Sequence, residues 1–375
     1  MIAQPVIAVI GLGTMGLGIA QIYAAAGFRV LMTDADASVR DTAKIRMQTA
    51  LDRRVAADKL TVATCDATLA NLSTAHTLPD IAAADLVIEA IVERLDAKQS
   101  LFAALEQVIA ADAVLATNTS SLSVTAMAHG LRHPNRLLGL HFFNPTPVMR
   151  LVELVAHAHT TPAALTLART ATEYAGKTVI QCPDSPGFIV NRCARPYYGE
   201  ALALLEEGRS ASDIDAAMQA AGYPLGPFGL IDLIGADINL AATEGLYRAL
   251  AKHPRYHAFD ALRAAVVAGR LGRKSGQGFI HPGLPGPAPA DAADIVARIE
   301  AAVINEAAHL LALGGITAQD IDTAMRLGLN FPRGPFAMLQ VRGKLRILAQ
   351  LAALEQAAPL ALKRRYLPAD LLKTP

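Results

Sequence analysis

Pro5-Val6-Ile7-Ala8-Val9-Ile10-Gly11-Leu12-Gly13-Thr14-Met15-Gly16-Leu17-Gly18 is the stretch that decides the fold of this chain. Its first six residues form a short, nearly continuous apolar run, as a parallel strand buried on both faces does. A G-x-G-x-x-G pattern follows at once. Gly11 permits a tight turn, Gly13 lets the backbone approach a pyrophosphate, and Gly16 allows close packing of helix on strand. An apolar helical stretch runs from Met15 to Ala26, Gly27 stops it, and Phe28-Arg29-Val30-Leu31-Met32 reads as a second strand closed by Thr33-Asp34. Strand, glycine loop, helix and strand in this order make a βαβ unit. The helix that opens at Thr14-Met15 presents unpaired N–H groups and the positive end of its dipole to a phosphate. Asp34, 23 residues after Gly11, puts a carboxylate where it can accept hydrogen bonds from an adenine-ribose diol and repel a 2′-phosphate. That pattern favours NAD over NADP.

Outward from this unit, residues 36–75 read as helical and carry Arg40, Lys44, Arg46, Arg53, Arg54 and Lys59. Strand-like runs recur at 84–91, 114–117 and 137–143, separated by helical spacing such as 98–109. Such alternation implies a doubly wound α/β sheet of Rossmann type over residues 1–184. Helical periodicity then dominates 185–281. The Pro/Gly-rich segment from His281 to Pro289 cannot be helix or inner strand, and residues 282–291 read as a linker. The segment beyond it, 292–375, echoes the one before. Ile189-Val190-Asn191-Arg192 returns as Ile295-Val296-Ala297-Arg298, Asp213-Ile214-Asp215 as Asp320-Ile321-Asp322, and Gly226-Pro227-Phe228 as Gly334-Pro335-Phe336. Ordered matches at nearly constant offset imply two all-α domains arisen by duplication. The second has Ala297 in place of Asn191 and lacks a glycine loop, so it reads as a non-catalytic copy whose surface covers Gly226-Pro227-Phe228 and neighbouring apolar helices within one chain. A monomer or homodimer is expected.

Composition narrows the class. Of 375 residues, 53% are hydrophobic and 18% charged, too apolar for disorder. Lys+Arg 34 against Asp+Glu 33 leaves no global field to draw the chain onto nucleic acid or acidic lipid. No apolar run approaches the roughly 18–20 residues of a membrane span. Cys65, Cys182 and Cys193 are an odd set without metal-ligand spacing, so reduced thiols and no metal are expected. With no secretory targeting pattern at the N-terminus, the expected compartment is the cytoplasm.

Two segments are unusually polar at sheet ends. Asn118-Thr119-Ser120-Ser121 follows one apolar strand and His141-Phe142-Phe143-Asn144-Pro145 ends another, where ligands of open α/β sheets gather. His141 stands apart from the other histidines because it ends a buried strand beside Asn144, with Glu153 twelve residues on. Oxidation of an alcohol needs a base that titrates near neutral pH, which histidine provides. A neighbouring carboxylate fixes its tautomer and steadies the imidazolium. Neutral donors such as serine and asparagine can steady developing charge on oxygen. Each residue also has a plain structural alternative: Ser120 as a helix cap, Glu153 paired with Arg150, Asn191 linking helices, Lys98 on a solvated helix face.

With these motifs in order, the chain resembles the L-3-hydroxyacyl-CoA dehydrogenase family. The resemblance runs through the glycine loop, Glu89-Ala90-Ile91-Val92-Glu93, Asn118 to Leu122, Leu140 to Pro145, Asp184 to Arg192 and Lys274 to Phe279. It implies NAD-dependent oxidation of (S)-3-hydroxyacyl-CoA to 3-oxoacyl-CoA, in β-oxidation, butyrate metabolism or breakdown of an aromatic compound. His141 would be the general base, Glu153 would hold its imidazole, and Ser120 and Asn191 would hydrogen-bond the reacting oxygen or the thioester. Asn144 joins the substrate set. Glu93, Lys98 and Asn118 join Gly11, Gly13, Thr14, Met15, Gly16, Asp34 and Ser120 around the cofactor. The helix with Arg46, Arg53, Arg54 and Lys59 lies where the family grips coenzyme A phosphates. The chain departs from the family in having Glu93-Arg94 where Glu-Asn is usual, which bears on polar contacts near the nicotinamide. Two alternatives are a dehydrogenase of a free hydroxy acid on the same scaffold, similar to crystallin-like relatives, and a non-catalytic NAD-binding protein.

Overall fold

The computed structural model describes residues 4–373, and their contacts divide into two compact units between Ser185 and Pro186. In the first unit, β1 (Ile7–Ile10) lies inside an eight-stranded sheet with every residue buried. α1 (Thr14–Ala25) follows the glycine loop, and β2 (Val30–Thr33) returns parallel to β1, Ile7 opposite Val30. α2 (Ala37–Ala56) begins at Asp36, whose carboxylate accepts from the N–H groups of Ser38 and Val39, and α3 (Val62–Ala70) begins at Thr61. β3 (Leu72–Thr74) is an edge strand inside the stretch that reads as helical. Three residues are too few to show the alternation that marks a strand.

On the other side of β1 come β4 (Leu86–Glu89), α4 (Leu95–Leu105), β5 (Val114–Thr117), α5 (Val124–Ala128) and β6 (Leu137–Phe142). β7 (Leu151–Ala156), α6 (Pro162–Tyr174) and β8 (Thr178–Pro183) complete the order β3-β2-β1-β4-β5-β6-β7-β8. The strand order reverses beside β1, which opens a crevice at the carboxyl ends of β1 and β4, next to the glycine loop. The sheet is parallel from β3 to β6. β7 then runs antiparallel to β6 with β8 parallel to β7, so the doubly wound sheet carries a reversed margin. Neither strand stands out in the sequence: Glu153 interrupts the apolar run of β7, and Gln181 and Pro183 interrupt that of β8.

The second unit is helical: α7 (Val190–Glu206), α8 (Ala211–Ala220), α9 (Pro227–Ile234), α10 (Ala236–Ala249) and α11 (Asp260–Val267), then α12 (Ala292–Leu311), α13 (Ala318–Leu329), α14 (Pro335–Arg342), α15 (Lys344–Ala357) and α16 (Asp370–Lys373). One local device occurs twice. Asp215 on α8 accepts from the N–H groups of Phe228 at 2.9 Å and Gly229 at 2.6 Å, and caps α9. Asp322 on α13 accepts from Phe336 at 2.7 Å and Ala337 at 2.9 Å, and caps α14. A Cβ on Gly226 or Gly334 would come within 2.3 Å of the respective aspartate, which explains glycine before proline in both Gly-Pro-Phe turns.

α12 lies against α7 and α8. The buried charges between the two helical segments are reciprocal. Arg192 Nε donates to Glu306 at 2.6 Å while Arg298 Nε donates to Glu200 at 3.0 Å. Arg255 lies 3.0 Å from Glu306, and Arg365 2.8 Å from Glu200. Tyr256 and Tyr366 donate their hydroxyls to Glu306 at 2.5 Å and Glu200 at 2.9 Å. Residue i meeting j while j′ meets i′ is the pattern of an isologous interface, here inside one chain. The tail lies over the neighbouring helices α7 and α8, whereas the Gly226-Pro227-Phe228 turn itself is covered from its own copy: Phe228 packs on Phe279 with ring centroids 4.9 Å apart, and α9 packs chiefly on α7, α8 and α10. The charged pairs draw α12 onto α7 instead. Among the described residues no helix is long and apolar enough to cross a membrane, and the three cysteines are free and buried.

Candidate active site

The loop after β1 is built as its glycines require. Gly11 has φ +91°, and a Cβ there would sit 2.6 Å from Ala90 O; a Cβ on Gly16 would sit 1.7 Å from Gly11 O. Those contacts are with backbone and cannot relax. Gly13 faces open space and borders a cavity of about 680 Å³ lined also by Gly11, Asp34, Arg40, Ile91 and Val92. The Asp34 carboxylate accepts from the N–H of Leu12 at 2.7 Å and of Asp36 at 2.9 Å, which fixes it at the loop. Thr14 opens α1, and the sulfur of Met15 accepts from the Thr146 hydroxyl at 3.7 Å. A glycine edge at a helix N-terminus, an anchored carboxylate and the exposed apolar side chain of Val92 together suit a dinucleotide: phosphates at the glycines, diol at Asp34, flat ring against the apolar wall.

At the end of β4, charge is concentrated. Glu89 is fully buried; it accepts from Lys98 Nζ at 2.6 Å and from the Thr117 hydroxyl at 2.7 Å. Lys98, on α4, is buried and also lies 3.3 Å from Glu93, so it is not part of a solvated helix face. Glu93 accepts from the Thr119 hydroxyl at 2.6 Å, the Ser120 N–H at 3.0 Å and the Ser121 hydroxyl at 3.1 Å. Burial opposes its charge, but Thr119, Lys98 and the Ser120 N–H hold the carboxyl below its usual range. The polar segment after β5 is thus tied to Glu93. Arg94, at the departure from the family pattern, turns outward and pairs with Asp96. Ser120 does not cap a helix; Ser123 does, accepting from the Ala126 N–H at 3.1 Å.

β6 and β7 bring the third group together. Their antiparallel register sets His141 directly opposite Glu153, so both side chains lie on one face of the sheet. His141 Nδ1 and Glu153 Oε2 are 2.6 Å apart and both residues are buried. Glu153 does not pair with Arg150. Asn118 accepts from the Phe142 N–H at 2.9 Å and so stitches the end of β5 to β6. Asn144 borders a second cavity, of about 300 Å³, with Gly13, Gln21 and Arg46. Of the four cations expected to grip coenzyme A, Arg46 alone lines this cavity, and its Nε is buried without a hydrogen-bond partner. Asn191 belongs to the second unit, one residue into α7, where its carbonyl accepts from Arg195 Nε at 3.0 Å. Sequence alone does not mark Thr119 and Ser121 as Glu93 partners, Arg40 and Val92 as cavity walls, or Asn239, whose side-chain amide is buried with neither atom hydrogen-bonded. Only Thr119 and Ser121 carried a signal, as members of the polar run at a strand end.

Residues 6–185 match the description "3-hydroxyacyl-CoA dehydrogenase, NAD binding domain", and residues 187–281 and again 295–374 match "3-hydroxyacyl-CoA dehydrogenase, C-terminal domain". The chain belongs to the 3-hydroxyacyl-CoA dehydrogenase family. It is therefore an oxidoreductase whose first unit is the family's NAD-binding domain. The chain is 35% identical to the 3-hydroxyadipyl-CoA dehydrogenase of Escherichia coli, across 100% of this chain and 98% of that one. A crystal structure of 3-hydroxybutyryl-CoA dehydrogenase from Escherichia coli superposes with a TM-score of 0.91 at 35% identity, covering 99% of this chain and 98% of the other. The (S)-3-hydroxybutyryl-CoA dehydrogenase of Ralstonia eutropha gives a TM-score of 0.71 at 36% identity, covering 74% of this chain and 98% of its own.

Proposed function

We propose that this member of the family oxidises (S)-3-hydroxyacyl-CoA to 3-oxoacyl-CoA, with His141 as general base and Glu153 as the residue that orients it. The observation that carries the reading is the 2.6 Å contact between His141 Nδ1 and Glu153 Oε2 on adjacent antiparallel strands. Nδ1–H donates to the carboxylate, so the proton of the substrate's 3-hydroxyl goes to Nε2 as the C3–H bond breaks. Bound NAD supplies the hydride acceptor. Glu153 stabilises the imidazolium that results, and its burial away from water strengthens that interaction. Ser120, held through its backbone by Glu93, donates to the reacting oxygen. Asn191 enters this role from its motif alone. The diol-accepting Asp34 supports NAD as the dinucleotide, and the buried free thiols support a cytoplasmic setting.

The test is NADH absorbance with purified variants. His141→Ala should lower kcat by about 10²–10⁴-fold, and Glu153→Gln should fall in the same direction with little change in the KM for NAD. Full turnover in His141→Ala would relocate the base. The relatives' names set the acyl panel: 3-hydroxybutyryl-CoA and 3-hydroxyadipyl-CoA, each against its free acid. Equal activity on the free acids would favour a hydroxy-acid dehydrogenase, and no turnover on any would favour a binding protein.

A further inference from the structure

The second unit holds a cavity of about 820 Å³ formed by the start of α12, by α14 and by α15. Its apolar surface comes from Val296, Met338 and Ile347, and three guanidinium groups, Arg333, Arg342 and Arg346, border it. Arg342 is neutralised by Glu300, which also accepts from the Tyr223 hydroxyl at 3.0 Å. Arg333 and Arg346 are exposed and have no carboxylate within ion-pair distance among the described residues, so the cavity carries a net positive charge over an apolar floor.

The repeat shows that this charge is particular to the second copy. The Gly-Pro-Phe turns and the glycines before α10 and α15 align with an offset of 108 (226 to 334, 235 to 343), which sets Arg333, Arg342 and Arg346 against Leu225, Ile234 and Ile238. The equivalent face of the first copy is apolar at all three positions. Ala297, where the first copy has Asn191, also lines the cavity. The second copy thus has alanine where the first has Asn191, and three cations where the first is apolar, all bordering this one cavity. Its volume is in the range of small-molecule sites, which are concave, mostly apolar and oriented by a few placed polar groups.

We propose that this cavity is a second, non-catalytic binding site for an amphiphilic organic anion, a short or medium acyl chain whose carboxylate or phosphate head is held by Arg333 and Arg346. The chain lies along Val296, Met338 and Ile347, and the head meets the guanidinium forks, which suit planar or tetrahedral oxyanions. Both a free fatty acid and an acyl-CoA have this chemistry.

Isothermal titration of the full-length protein with octanoyl-CoA, octanoate and inorganic phosphate tests the assignment. Octanoyl-CoA lacks a 3-hydroxyl and is not turned over. It should bind at two sites in the wild type and at one in Arg333→Ala/Arg346→Ala, the lost site weakening by about tenfold or more. Octanoate binding lost in the same variant identifies a carboxylate-headed ligand as sufficient; loss with octanoyl-CoA alone identifies the phosphates as the head. Phosphate by itself should bind weakly, because the apolar floor contributes nothing to it. Turnover of a 3-hydroxyacyl-CoA should be unchanged in the double variant. Ala353→Trp, which fills the lip without removing a charge, should also abolish the second event. A single binding event in the wild type, or a second event indifferent to all three substitutions, overturns the proposal. So does sedimentation of the wild type as a dimer that the arginine variant dissociates, since the cavity would then be covered by another chain.

Discussion

Glu200→Gln is the substitution that best probes how the second unit is held together. The native carboxylate is fully buried and receives Arg298 Nε at 3.0 Å, Arg365 Nε at 2.9 Å and the Tyr366 hydroxyl at 2.9 Å. Glutamine keeps the volume but removes the charge and replaces one acceptor with a donor facing a guanidinium. Breaking a buried ion pair from one side costs about 3–5 kcal/mol. Arg298 retains Glu207 at 2.6 Å, and Arg365 retains the carbonyls of Pro254 and Arg255, so the lower end, about 3 kcal/mol, applies. For a unit of this size that lowers Tm by about 6–12 °C. The chain has no tryptophan, and six of its eight tyrosines (197, 198, 223, 247, 256 and 366) belong to the second unit, so tyrosine fluorescence in urea follows that unit. The effect should depend on pH. Burial pushes the Glu200 carboxyl up, but Arg365 and Arg298 pull it further down, below its usual range. A depressed carboxyl adds stability that is complete above its unfolded pKa and is lost as pH falls through the folded one. The gap between wild type and variant should therefore hold from pH 7 to about 5 and narrow at more acid pH. A gap below about 0.5 kcal/mol at pH 7 would refute the reasoning, because it would mean the guanidiniums are solvated rather than held by Glu200.

Other outcomes follow from the same geometry. Asp34→Ala removes the acceptor anchored by Leu12 and Asp36 and should raise the KM for NAD by about tenfold with kcat little changed, read in steady-state kinetics at varied NAD. Lys98→Met leaves Glu89 buried without its cation and should destabilise the first unit by about 3–5 kcal/mol in chemical denaturation; a neutral result would mean that the Ile91 N–H and the Thr117 hydroxyl hold the carboxyl without the lysine. Asn239→Leu removes two buried, unbonded polar atoms and should raise stability by about 1 kcal/mol; a loss instead would show that the amide has a partner in solution.

How far the sequence reaches can be judged residue by residue. The glycine loop, Asp34 and the end of β6 were readable because each combines a strand signal with residues that only a turn or a ligand requires. Lys98 was readable as family pattern but not as structure: on a helix its spacing looks like a solvated cation, and only the fold shows Glu89 beneath it. β7 was hidden because the buried Glu153 breaks the continuous apolar run that marks β1, while burial of both faces leaves no alternation to replace it. Glu153 could thus be matched by motif, whereas its position opposite His141 depends on strand register, a long-range property that no local window contains.

The duplication makes the same point about the second helical segment. Glu306 takes up Arg192 and Arg255, and Arg365 and Arg298 take up Glu200, so each copy supplies the counter-charges of the other. Removing the tail would leave two arginines and a glutamate of the first copy without partners on a surface made for burial, and unpaired buried charge is among the largest single costs a fold can carry. In this chain those counter-charges are covalently tethered, so they meet at an effective concentration set by the chain itself.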